Sequence, residues 1–95
     1  MIKSFADRAT AEIYDGVDSK AARKIDKRVW LDVTRKSDVL NAAISLNDLK
    51  SPGNHLERLK GDWIDHWSIR VNDRYRIIFR FENGNALDVR CTDIH

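Results

Sequence analysis

Arg70 and Arg76 lie on either side of a polar stretch, Asn72-Asp73-Arg74, and both arms of that stretch alternate apolar with polar residues. Alternation of this kind makes strands, and a hairpin here would set two guanidinium groups side by side. Like charges facing each other across a ladder are unfavourable by up to about 1 kcal/mol, so something must offset them. Water and nearby acids such as Glu57 or Asp93 would do so. A bound phosphate is the other answer, because two guanidinium forks match its oxygens. Ser68 and Arg80 fall close to the pair, Lys60 and Arg74 add positive charge, and Glu57, Asp93 and His95 are groups able to move a proton.

The remaining reactive residue types read more plainly. His55 and His66 are 11 apart and His95 is 29 further on, a spacing unlike that of zinc ligands, so no metal and no other cofactor is expected. Cys91 sits at strand spacing from Val89 and Leu87 and reads as a small core residue rather than a nucleophile. Trp30 and Trp67 read as core or interface aromatics, whereas Trp63 falls in a loop.

The loop between the two arms decides which faces meet. A two-residue turn at Asn72-Asp73 would pair Val71 with Arg74 and Ile69 with Arg76, setting an apolar face beside a cationic one. A slip of one residue inverts every side chain. A three-residue loop over 72–74 instead pairs Val71 with Tyr75, Ile69 with Ile77 and Trp67 with Phe79. All the apolar residues then share one face, and Arg70 and Arg76 become direct neighbours on the other. The sequence predicts this register, or a bulge with the same effect.

Upstream, Met1 to Phe5 reads as a short strand and Ala6 to Tyr14 as a short helix stopped by Gly16. No Gly or Pro occurs between Gly16 and Pro52, which permits a long helix capped by Ser19. Its apolar side would carry Ala22, Ile25, Val29, Val33, Leu40 and Ala43, broken only at Lys36; a second, shorter helix from Ser37-Asp38 is the alternative. The basic residues around it read as a solvated face. After the break at Ser51-Pro52-Gly53-Asn54, strands are predicted over Leu56–Lys60, His66–Val71, Tyr75–Phe81 and Ala86–Thr92, with a hairpin at Asn83-Gly84. The pattern is α+β: two N-terminal helices packed on one face of a small antiparallel sheet.

The chain has 95 residues, 42% of them hydrophobic, which suits one folded domain over 1–95. With 17 Lys+Arg against 15 Asp+Glu the net charge is +2, too little for a purely electrostatic grip on nucleic acid. No apolar run approaches the ~20 residues of a membrane span, so no membrane association is expected. Met1-Ile2-Lys3-Ser4-Phe5 lacks a signal-peptide core, and a single cysteine fits a reducing cytoplasm.

The stretch Leu59-Lys60-Gly61-Asp62, followed by Trp67 through Ile77, resembles the HigB branch of the RelE-like toxins. Met1 to Phe5, Asn41-Ala42-Ala43, Asp48 through Asn54 and the closing Asp93-Ile94-His95 are similar to that family's start, middle and end. The resemblance is collinear over essentially the whole chain. It implies the RelE-like toxin fold and a type II toxin that cuts mRNA in the A site of the 70S ribosome, inhibiting translation. It also implies a cognate HigA-like antitoxin with a helix-turn-helix fold, and operator DNA bound only through the toxin–antitoxin complex.

Metal-independent RNA cleavage lets a ribose 2′-OH attack the adjacent phosphorus, and it needs a base, positive charge at the transition state and an acid for the leaving 5′-oxygen. Lys60, Arg70 and Arg76 are the available cations; Glu57, Asp93 and His95 are the proton carriers. By resemblance, Arg76 matches the arginine placed on the scissile phosphate. Lys60 and His95 match positions used by HigB toxins, and Arg70 falls near a basic RelE position. Two departures stand out. Glu57 replaces a histidine that some relatives use, and Ile94 replaces a penultimate tyrosine, for which Trp63 and His66 offer a substitute stacking surface. A ParE-like toxin acting on DNA gyrase without nuclease activity, and an inactive antitoxin-binding relative, are the competing readings.

Overall fold

In the computed structural model, which describes residues 1–93, Trp67 pairs with Phe79, Ile69 with Ile77 and Arg70 with Arg76. The three-residue loop is the one formed. Val71 N donates to Tyr75 O at 3.0 Å, and Asn72 Oδ1 accepts from the backbone N–H groups of Arg74 and Tyr75, both at 2.8 Å. An Asx side chain closing its own turn in this way needs no glycine.

The sheet has four antiparallel strands in sequential order, β1 (Glu57–Arg58), β2 (Trp67–Arg70), β3 (Tyr75–Glu82) and β4 (Asn85–Asp93). One face carries Ile69, Tyr75, Ile77, Phe79, Val89 and Cys91, all buried. Against it lie α1 (Arg8–Tyr14) with Ala9 and Ile13, and α2 (Trp30–Ala42) with Val33 and Leu40. Thr10, fully buried, ties α1 to the sheet by accepting from Cys91 N at 2.8 Å. Asp7 caps α1 by accepting from Thr10 N at 2.9 Å. The 83–84 turn has positive φ at Asn83 and Gly84, the backbone a two-residue hairpin requires.

Four expectations need correction. The helix predicted from Ser19 starts only at Trp30; residues before it form two short 3₁₀ turns, Ala22–Lys24 and Lys27–Val29. Ser19 Oγ does cap, accepting from Ala22 N, but Asp26 accepts from Arg28 N and restarts the chain. Side chains that bond nearby backbone compete with helix, and the apolar spacing does not record that competition. Ser37 lies inside α2, fully buried, so no second helix begins there. Residues 1–5 run parallel to β4 through single bridges at Ile2–Ala86 and Phe5–Val89 rather than forming a full strand. β1 is two residues long, not five, because His55 enters it in the left-handed region at φ 43° and the chain soon turns at Gly61–Trp63.

The fourth correction concerns β4. Between the pairs Ile78–Arg90 and Arg80–Leu87 the register shifts at Asp88, which has φ 52°. This bulge changes the inward phase, so Ala86 and Val89 are buried and Leu87 is not. Cys91 stays in the core as expected, 5% exposed.

Candidate active site

The face turned away from the helices is polar. Strand pairing places Glu57, Ser68, Ile78 and Arg90 in one row across it, with Arg70, Arg76 and Thr92 in the next. Arg76 is largely enclosed, its side chain 11% exposed. Nε donates to Ser68 Oγ at 2.9 Å, and Nη2 donates to His55 O at 2.5 Å and Ser68 O at 3.3 Å. Glu57 Oε2 stands 4.0 Å from the same nitrogen. Nη1 has no hydrogen-bond partner among the described residues.

The chain reaches this arrangement through a sequence of local contacts. Pro52–Asn54 forms a 3₁₀ turn, and buried Asn54 donates to Leu49 O at 3.3 Å and Ser51 Oγ at 3.0 Å. Lys36, on α2, donates to Asn54 Oδ1 at 2.7 Å. His55 then adopts its left-handed backbone and turns its carbonyl onto Arg76. Non-glycine residues in that region are uncommon, and here the strained residue sits at the site. Lys36 and the His55 carbonyl escaped the sequence reading. The visible trace was the break in the apolar stripe at Lys36.

Arg70 and Arg76 are direct cross-strand partners on one face, as expected, but their guanidinium groups turn apart. Arg76 points to β1, whereas Arg70 bonds Asp73 in the hairpin loop. Like-charge repulsion is thus offset within the protein by Asp73, Glu57 and carbonyl oxygens. Asp93 is placed differently. It lies opposite Tyr75 on the helix side of β4 and pairs with Arg74 at 2.6 Å, holding that guanidinium more firmly protonated. Both border a cleft with Asp7, Lys24 and Tyr75. The grouping of Asp93 and Arg74 with the two-arginine face therefore does not form.

Arg80 is on the Arg76 side of β3 but engaged by Asp88 at 2.8 Å and Glu82 at 3.2 Å. Those carboxylates push its pKa further up, Asp88 most of all. Lys60 is exposed just before the Gly61–Trp63 turn, with no ion pair among the described residues. His95 and Ile94 lie outside the described residues. Burial pushes the Cys91 thiol up to about 12, so it is no nucleophile.

Comparison with known proteins bears on family and fold. Residues 3–95 match the family of the RelE-like toxin of type II toxin-antitoxin system HigB. Toxin HigB-1 of Vibrio cholerae serotype O1 is 37% identical over 89 residues, which is 93% of this chain and 92% of that protein. Endoribonuclease HigB of Proteus vulgaris is 31% identical, with all of both chains covered. In solved structures the fold recurs in the YoeB–YefM complex from Staphylococcus aureus, at TM-score 0.61 and 14% identity over 100% of this chain and 98% of that one. It recurs also in a YoeB/ParE toxin from Agrobacterium tumefaciens, at TM-score 0.57 and 17% identity over 99% of this chain and 100% of that one. A two-helix, four-stranded α+β chain matched over nearly its full length by that family model belongs to the HigB family of RelE-like toxins of type II toxin–antitoxin systems.

Proposed function

We propose that this toxin is a metal-independent endoribonuclease that acts in the cytoplasm, enters the A site of the 70S ribosome and cuts the mRNA there. The observation that carries the reading is Arg76, nearly enclosed and held by Ser68 and His55, with one nitrogen unspent among the described residues. A guanidinium fixed this way needs little reorganisation when phosphorane charge develops. The Proteus relative bears the name of an endoribonuclease, which supports the reaction class.

In the reaction, the 2′-oxygen bonds to phosphorus and the P–O5′ bond breaks. The 2′ proton passes to a base and the departing 5′-oxygen takes one from an acid. Glu57 is the carboxylate nearest Arg76 and fits the base. His95 is the proposed acid. Lys60 and Arg70 add charge at the phosphate, Arg80 lines the RNA approach on the same face, and Ser68 holds Arg76. Positive charge from side chains does the work a metal would otherwise do.

The proposed partner is a HigA-like helix-turn-helix antitoxin, through which alone the complex meets operator DNA; the S. aureus neighbour, itself in complex with YefM, supports a protein partner. Incubating the toxin with labelled mRNA, with and without 70S ribosomes, tests the proposal. Cuts only with ribosomes, ending in 2′,3′-cyclic phosphate and 5′-OH, are expected. Products bearing 5′-phosphate would contradict the 2′-OH mechanism. Intact RNA together with inhibited gyrase would select the ParE-like alternative.

A further inference from the structure

The loop between β1 and β2 folds back over the polar face and lays Trp63 on Arg90. The guanidinium carbon of Arg90 is 5.2 Å from the Trp63 ring centroid, and His66 meets the same ring nearly perpendicularly at 4.8 Å. His66 is in turn held by Asp65 at 2.7 Å, a contact that keeps the Asp65 carboxyl below its usual range. Backed by a cation on one side and braced by an imidazole, Trp63 still has 39% of its surface in solvent, and the neighbouring Ile64 has 61%. One donor in this cluster is unexplained: Arg90 Nε is buried and has no hydrogen-bond partner among the described residues. Native structures rarely leave such a group without a reason.

Position relates the cluster to Arg76. Arg90 pairs with Ile78, two residues along β3 from Arg76 on the same face. That separation is about 7 Å along the strand, the scale of one extended nucleotide step. From these observations we infer that Trp63 and Arg90 form the platform for the RNA base next to the phosphate at Arg76. The base stacks on the open face of the indole, and Arg90 contributes the cation behind the ring. The inference rests on the ribonuclease reading and adds to it the residues that set base preference.

The test uses 70S ribosomes programmed with defined A-site codons and the full-length toxin. Stacking on an aromatic side chain predicts that Trp63→Ala slows cleavage about 10- to 100-fold and flattens the differences among codons, while Trp63→Phe restores most of the rate. Arg90→Met should lose a similar factor, and the double variant should fall less than the product of the two losses, because the side chains act as one unit. Melting curves and antitoxin binding should stay close to wild type in all variants.

Unchanged cleavage and an unchanged codon profile in Trp63→Ala would overturn the platform and leave the nuclease reading standing. A Phe variant no better than Ala, or antitoxin binding lost while cleavage persists, would also overturn it, making Trp63 a structural plug or a protein-docking residue. If the wild type itself cuts no codon, the ribonuclease reading falls and the platform with it.

Discussion

Arg76 Nε donates to Ser68 Oγ at 2.9 Å across the β2–β3 ladder, and both residues are shielded from solvent on the face away from the helices. Ser68 thereby fixes the aim of the cation. Ser68→Ala removes the acceptor and should cost about 1 kcal/mol of stability. Cleavage in a translation extract should fall roughly tenfold, with the variant still folded by circular dichroism. Equal activity would show that the backbone carbonyls of His55 and Ser68 suffice to orient Arg76.

Lys36 reaches the same site from α2 through Asn54. Replacing it with Met leaves the Asn54 side-chain oxygen without the ammonium it accepts from at 2.7 Å. A partly buried acceptor left unpaired costs about 1–3 kcal/mol. The Pro52–Asn54 turn should loosen, so both urea stability and cleavage should fall together. A stable but inactive Lys36→Met would instead mean that Lys36 acts on RNA directly.

Cys91 is the one thiol in the chain, packed in the core with its pKa pushed up to about 12 by burial. Thiol reagents at pH 8 should label it only at the rate of unfolding, and rapidly in urea. Fast labelling of the native protein would place the sulfur in an accessible, activated setting.

Asp26 carries the clearest acid dependence. The forked contact from Arg28, 2.7 Å at its shortest, holds the Asp26 carboxyl at about 2 rather than 3.8. A folded pKa below the unfolded one contributes stability that is present above pH 3.8 and is lost as pH falls from there toward 2. Urea midpoints at pH 6 and pH 2.5 should therefore drop less in Asp26→Asn than in wild type. The difference will be small because the pair is exposed. An equal drop in both proteins would remove Asp26 from the acid limb.

The hairpin was legible because period-two alternation admits only one register that buries Ile69, Ile77 and Phe79 together. From that register the shared face of Arg70 and Arg76 followed. Their diverging guanidinium groups did not, since these depend on Asp73 and on a carbonyl brought in by a separate turn. Residues 19–29 misled because apolar spacing continues through Asp26 while its side chain ends the helix. Asp88 gave no warning of a bulge. Asp93 was within reach by parity: once Cys91 points into the core, Asp93 lies on that side too, away from Arg76. Arg90 was overlooked because its significance lies in Trp63, a loop residue distant in sequence that packs on it.

On the proposed function, the Arg76 guanidinium serves RNA scission. Sequencing mRNA 5′ ends minutes after induction of the wild-type toxin and of Arg76→Ala tests it most directly. New 5′-hydroxyl ends are expected inside translated codons with the wild type, and at least a hundredfold fewer with the variant, the scale for losing one preorganised transition-state donor. Growth arrest with no new ends, or Arg76→Ala cutting as well as wild type, would contradict it.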